Sequence, residues 1–276
     1  MTDTPRIVAT LADDLRAAGI RAGDCLLVQS SFKALGLPSV TPDDVITTLL
    51  AVLGAEGTVM MPTFTYSYAG IFNVQPFHPA KTPGMANGIL TETLRRYPGA
   101  LRSAHPTYSV AAVGRHAARL TEEKATASAM GYGSSLDEAY QLDATILLLG
   151  VGNNRNSMLH YAEVAAGLPY HDIPHREFWG RTALVEQDGD AVEVPLHSPF
   201  PACSLNFGAA DAYLIDRDIA RRAAIGQAAS LVMSTRAMVD AVAERLRREP
   251  AWLLCDLIVC EPCNRRKHLL RELGML

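Results

Sequence analysis

Between Pro5 and Ala18 the apolar residues Ile7, Leu11, Leu15 and Ala18 recur at helical spacing, and Gly19 closes the segment. Asp24-Cys-Leu-Leu-Val-Gln29 is a short apolar run and predicts a buried strand. Thr41-Pro-Asp-Asp carries a helix start: an N-cap Thr, Pro at the first helical position, and two acids at the positive dipole end. That helix runs to Leu53 and stops at Gly54. Gly57–Pro62 and Ser109–Gly114 predict two more strands, and Ala144–Val151 is the best buried strand in the chain. Asp188-Gly189 between two alternating runs is a hairpin signal over Thr182–Pro195. A last helix is expected from Ser234 to Arg248, ahead of Pro250.

Strands separated by helices predict an α/β fold, a layered and mostly parallel sheet flanked by helices, with an antiparallel hairpin excursion. No internal repeat or low-complexity linker divides the 276 residues, so a single domain over 1–276 is expected. Hydrophobic residues make up 49% of the chain, which is enough for a large core.

Charge adds exclusions. Lys and Arg number 25 against 29 Asp and Glu, a formal charge of −4, so no basic excess exists to neutralise phosphates, and nucleic acid is not the expected partner. No apolar run is long enough for a membrane span, and the acids near the N-terminus do not fit a signal peptide. Five irregularly spaced cysteines suit a reduced, cytoplasmic protein. Cys260-Glu-Pro-Cys263 is a pair without a second half, and His171 and His175 lack further ligands at metal-site spacing, so no metal is expected.

Three blocks carry candidate chemistry. The first is Val28-Gln-Ser-Ser-Phe-Lys-Ala-Leu-Gly36, with Leu53-Gly-Ala-Glu-Gly-Thr-Val-Met-Met-Pro-Thr63 after it. Ser30 and Ser31 leave a strand and enter a turn ahead of Lys33, where amides and hydroxyls can face an anion; an ordinary Ser-capped turn is the simpler alternative. The second block is Pro98-Gly-Ala-Leu-Arg-Ser-Ala-His-Pro-Thr-Tyr-Ser-Val110, in which His105 reads as a residue that fixes its loop. The third joins Tyr132-Gly-Ser-Ser-Leu136, Leu147–Val151 and Leu159-His-Tyr-Ala-Glu163. Asn156 or Ser157 can cap a helix there, placing His160 in its first turn with Glu163 on the same face. The positive helix end favours a neutral imidazole, available as a base.

Read together, these blocks resemble the aminoglycoside 3-N-acetyltransferase family, the antibiotic N-acetyltransferase fold. The likeness is close from Asp24 to Pro169 and looser beyond. It implies an acyltransferase that moves acetyl from acetyl-CoA to a primary amine by direct attack, and with it a place in antibiotic resistance. It also implies that Ser30, Ser31, Phe32 and Lys33 hold the coenzyme pyrophosphate, with Arg102, Ser103, Ser109 and Val110 along the rest of the coenzyme. His160 is then the general base and Glu163 orients it or the amine. Family members usually carry His ahead of the Ser pair; Gln29 stands here, and Gln cannot titrate, so no catalytic role passes to it.

In the resistance enzymes the segment after the second strand contributes acids toward the sugar. Here Thr63–Phe77 has none, and Tyr66, Tyr68, Phe72 and Phe77 would form an aromatic wall suited to a less cationic amine. Acids could instead arrive from Glu163, Asp172, Glu177 or Asp211, with Asp172 the chosen substrate contact. The small-molecule amine is the expected partner, and a homodimer is allowed. Alternatives are an N-acyltransferase of a non-aminoglycoside amine, a thioesterase using Ser31 or Ser109, and a non-catalytic coenzyme binder. No Gly-x-Ser-x-Gly elbow supports the hydrolase.

Overall fold

The computed structural model describes residues 4–84, 87–122, 128–174, 176, 180–201 and 203–276. Its centre is a sheet whose parallel core is β1 (Cys25–Ser30) between β2 (Thr58–Pro62) and β5 (Thr145–Leu149). β3 (Leu101–Arg102) and β4 (Val110–Gly114) extend it antiparallel beyond β2, while β9 (Ala228–Ser234) and β8 (Ala220–Ile225) do so beyond β5. The spatial order is β3-β4-β2-β1-β5-β9-β8.

Side chains alternate across this sheet, so each core strand feeds two hydrophobic layers. Leu26, Val28, Val59, Met61, Leu147 and Leu149 face one side. There they meet α1 (Thr4–Ala17), α2 (Pro42–Leu53) and α3 (Ile89–Arg96) through Leu11, Leu15, Ile46, Leu49, Leu90 and Leu94. Leu27, Met60, Ile146 and Leu148 face the other, against α5 (Ser135–Gln141), α6 (Met158–Ala165), α8 (Thr235–Arg248) and α9 (Glu261–Glu272). Two shorter helices, α4 (Ala117–Thr121) and α7 (Ala209–Ile215), complete that second layer. The start of α2 is a capping box: Asp44 N–H donates to Thr41 Oγ1 at 3.2 Å and Thr41 N–H to Asp44 Oδ2 at 2.8 Å.

The expected hairpin is present as β6 (Thr182–Gln187) and β7 (Asp190–Pro195). Asp188 and Gly189 both take positive φ, as its two-residue turn requires. It forms its own sheet and clasps the aromatic loop: Leu184 N–H donates to Ser67 O, and Phe77 N–H to Leu184 O, each at 2.8 Å. A second hairpin, β8–β9, has no counterpart in the sequence reading. Its strands, Ala-Arg-Arg-Ala-Ala-Ile and Ala-Ala-Ser-Leu-Val-Met-Ser, are rich in helix formers, and pairing with β5 overrides that propensity. Its turn needs Gly226, at φ +55°, because a Cβ there would come within 2.7 Å of the Leu35 carbonyl.

Candidate active site

The carboxyl ends of β1, β2 and β5 open into one cleft, the usual binding edge of such sheets. A space of about 660 Å³ lies there, lined by Gln29, Ser30, Ser31, Phe32, Lys33, Gly88, Gly150 and Arg155 among others. The chain leaves β1 at Ser30, and the one-turn 3-10 segment Phe32–Leu35 follows at once; Gly36, at φ +62°, ends it. Ser31 sits at the cap position of that turn without capping it through its side chain. Lys33 and Arg155 supply positive charge at the rim, and no described lining residue is acidic. An anionic group such as a pyrophosphate fits those residues.

A second cavity of about 270 Å³ adjoins the first. The two share Phe64, Asn87 and Arg155 as a common wall. Asn87 Oδ1 accepts from the Phe64 N–H at 2.7 Å, which fixes that wall. His160 lines the second cavity together with Thr65, Tyr66, Tyr68, Tyr108 and Ser157. Tyr68 and Tyr108 join hydroxyls at 2.6 Å, and burial drives both phenols up, Tyr68 to about 12, so both stay neutral.

His160 is the third residue of α6, in its first turn as expected. Of the two candidate caps, Asn156 does the work: its Oδ1 accepts from the Met158 N–H at 3.1 Å. Asn156 is in turn held by Asn153 at 2.8 Å, and Asn153 by Asp211 at 2.7 Å. Nδ1 of His160 lies 2.9 Å from Glu163 Oε2, and both side chains are buried. The other oxygen, Oε1, accepts from the Tyr170 hydroxyl at 3.1 Å. Burial pushes that phenol well up, so it remains a donor. A carboxylate oxygen beside Nδ1 favours the tautomer that carries a proton on Nδ1. The Phe207 ring, 4.7 Å from the imidazole by centroids, restricts its rotation.

The structure brings Ser30, Ser31, Phe32 and Lys33 together in the cleft, and Tyr66, Tyr68, His160 in the cavity, with Glu163 behind His160. It separates the others. Arg102 donates to the Thr63 and Pro79 carbonyls at 2.8 and 3.0 Å, to the Thr82 carbonyl, and to the hydroxyls of Thr63 and Ser109 at 3.1 Å. With its guanidinium spent on this frame and stacked over Phe77, it does not face the cleft at Ser30–Lys33. Ser109 and Val110 are buried in the sheet, and the Ser109 hydroxyl donates to Thr63 O at 2.9 Å, which removes it as a nucleophile. Ser103 is buried too, its hydroxyl accepting from the Val110 N–H.

Phe77 is wholly buried under Arg102, whereas Phe72 projects into solvent at 90% exposure; neither lines the cavity. Asp172 is exposed and paired with Arg181 at 3.0 Å, away from the cavity. His175 and Glu177 lie outside the described residues. His105 Nδ1 accepts from the N–H groups of Thr107 and Tyr108 at 3.3 and 3.0 Å, which fixes its loop as expected. The sequence does not single out Asn87 and Arg155, which line both spaces, or Tyr108, which lines the second, because nothing local marks residues that meet only through the fold. Cys260 and Cys263 do have a second half: the fold brings Cys203 and Cys255 beside them.

The sequence pattern of the family described as aminoglycoside 3-N-acetyltransferase matches residues 27–247. The aminoglycoside N(3)-acetyltransferase IV of Salmonella sp is 32% identical over 247 residues, covering 89% of each chain. Among solved structures, the apoenzyme of aminoglycoside acetyltransferase AAC(3)-IVa superposes with a TM-score of 0.81 at 30% identity, over 95% of this chain and 96% of that one. A complex of AAC-IIIb with CoASH superposes at 0.79 with 25% identity, over 88% and 96%.

Proposed function

The chain belongs to the aminoglycoside 3-N-acetyltransferase family, and from that membership we propose that it acetylates a primary amine of an aminoglycoside or a related amino compound, with acetyl-CoA as co-substrate. The observation that carries this reading is the shared wall: the cleft at Ser30–Lys33 and the cavity at His160 meet at Phe64, Asn87 and Arg155. A donor in one and an acceptor in the other would react across that wall without a covalent enzyme intermediate.

Acetyl-CoA supplies the acetyl group as a thioester. Ser30, Ser31 and Lys33 hold the anionic end of that co-substrate. His160 Nε2 takes the amine proton as nitrogen bonds to the carbonyl carbon, and returns it to the departing thiol sulfur as the carbon–sulfur bond breaks. Glu163, fixed by Tyr170, keeps the imidazole in that tautomer and stabilises its charged form.

One observation favours the narrower reading of a less cationic acceptor: no described residue lining the cavity is acidic. A polycation gains little from tyrosine hydroxyls and asparagine amides alone. Both readings are tested by thiol release from acetyl-CoA across aminoglycosides, amino sugars and small primary amines. Turnover with any amine supports acetyl transfer, and fast aminoglycoside turnover rejects the narrower acceptor. Thiol release that needs no amine, or none with any amine, overturns the transferase reading.

A further inference from the structure

Cys203, Cys255, Cys260 and Cys263 are all buried, and their Sγ atoms all lie within 4.8 Å of one another. Four sulfurs around a tetrahedral zinc, each about 2.3 Å from it, stand about 3.8 Å apart. The set therefore closes on an ion through small side-chain movements. Cys255-x4-Cys260-x2-Cys263 provides one tight ligand loop leading into α9, and Cys203 completes the set from the segment before α7. From these observations we propose that the four cysteines form a structural Zn²⁺ site.

Two features of the surroundings support thiolates here. Leu205 N–H donates to Cys203 Sγ at 3.4 Å.

The second feature is a buried cation. Arg266, one turn beyond Cys263 on α9, is wholly buried; it donates to the Ile173 and Pro262 carbonyls at 2.6 and 3.3 Å, and its Nε has no partner. It forms no salt bridge among the described residues; the buried Glu163 acts on it electrostatically, and its guanidinium lies 5.6 Å from the centroid of the Tyr170 ring. Four thiolates around a divalent ion leave two net negative charges, and Cys263 is within electrostatic reach of this guanidinium.

The ion would have no open position and no part in the chemistry. Its effect would run through Cys203, because the neighbouring Ser204 lines the acceptor cavity and Phe207 packs on His160. Zinc would thus fix one wall of the active cavity.

The test is metal analysis of the full chain purified without chelator, in wild type, Cys263→Ser and a Cys25→Ser control outside the cluster. One zinc per chain is expected in wild type and control, with loss in Cys263→Ser. Should that variant not fold, the wild type still decides: cobalt replacement should give the thiolate charge-transfer and intense visible bands of tetrahedral Co²⁺. Stripping zinc should lower the melting temperature by roughly 5–10 °C, restored on adding Zn²⁺. A folded wild type that takes up neither zinc nor cobalt overturns the proposal, as does a disulfide among the four by intact mass. So does a folded Cys263→Ser variant that keeps its zinc.

Discussion

Gln29, next to last in β1, and Ser157, just ahead of α6, are hydrogen-bonded through both main chain and side chain. Gln29 Oε1 accepts from the Ser157 N–H at 2.9 Å and from its hydroxyl, and Nε2 donates to the Arg155 carbonyl at 2.6 Å. Gln29 lines the coenzyme cleft, Ser157 lines the acceptor cavity, and Arg155 lines both. One neutral side chain therefore sets the distance between the two halves of the site. A titrating residue is not needed for that task.

Gln29→Ala should leave a buried hydroxyl, an amide and a carbonyl unpaired. We expect a loss of roughly 1–3 kcal/mol in urea unfolding. Acetyl transfer should fall as well, since His160 is three residues from Ser157 on the displaced turn. Unchanged stability would show that water or a neighbour replaces the amide.

His160→Ala should lower turnover by roughly 10²–10⁴-fold while coenzyme affinity stays at the wild-type value. Glu163→Gln keeps the volume but can present its amide to Nδ1 and favour the wrong tautomer, so turnover should fall by roughly 10–10⁴-fold. Steady-state kinetics with calorimetric titration of CoA separates these effects. Near-wild-type turnover of His160→Ala would remove it as the base.

Much of this was legible along the chain, for physical reasons particular to each element. Thr41-Pro-Asp-Asp names a helix start because capping is local, involving atoms three residues apart. Asp188-Gly189 names a hairpin because few residues tolerate two successive positive φ values. His160 and Glu163 share a face through helical spacing alone. Arg102 was different: its partners are carbonyls at 63, 79 and 82, and a carbonyl carries no residue identity to read. The same limit hid β8–β9, whose Ala and Arg become strand through contacts with β5. It also hid Cys203, which reaches the Cys255–Cys263 loop only through the fold.

Arg102→Lys tests the structural role. A lysine offers three donors from one point and cannot span Thr63, Pro79 and Thr82 together. Stability should drop by roughly 2–4 kcal/mol, because several buried acceptors lose their donor at once. CoA affinity of the folded fraction should be unchanged. A selective loss of CoA binding at wild-type stability would return Arg102 to the coenzyme.

His105 supplies a pH dependence with a defined sign. Burial, reinforced by the nearby His197, holds its imidazole down to about 4, from an ordinary 6.5. The unfolded chain then binds more protons than the native one between those values, so stability is full above about pH 6.5 and declines as pH falls toward 4. The contribution at stake is roughly 1–3 kcal/mol. His105→Asn can keep an acceptor near the Nδ1 position for the Thr107 and Tyr108 amides while abolishing the titration. Denaturant melts across this window should show a shallower acid loss in the variant.

The aromatic loop offers the last test, because the fold divides its four rings into different environments. Tyr66 is 60% exposed yet borders the cavity, where an incoming acceptor would cover it. Phe72 is 90% exposed outside the cavity, and Phe77 is core. Tyr66→Ala should therefore raise KM for the acceptor by roughly 2–10-fold, the value of one aromatic contact, with coenzyme KM unchanged. Phe72→Ala and Asp172→Asn should alter neither constant by more than about twofold, since both lie on the surface. Asp172 can lose its charge because the Arg181 ion pair is exposed on both sides. Should Asp172→Asn raise acceptor KM selectively for multiply charged amines, a carboxylate reaches the acceptor after all. The narrower, less cationic acceptor would then be wrong, while the assignment of His160 would stand.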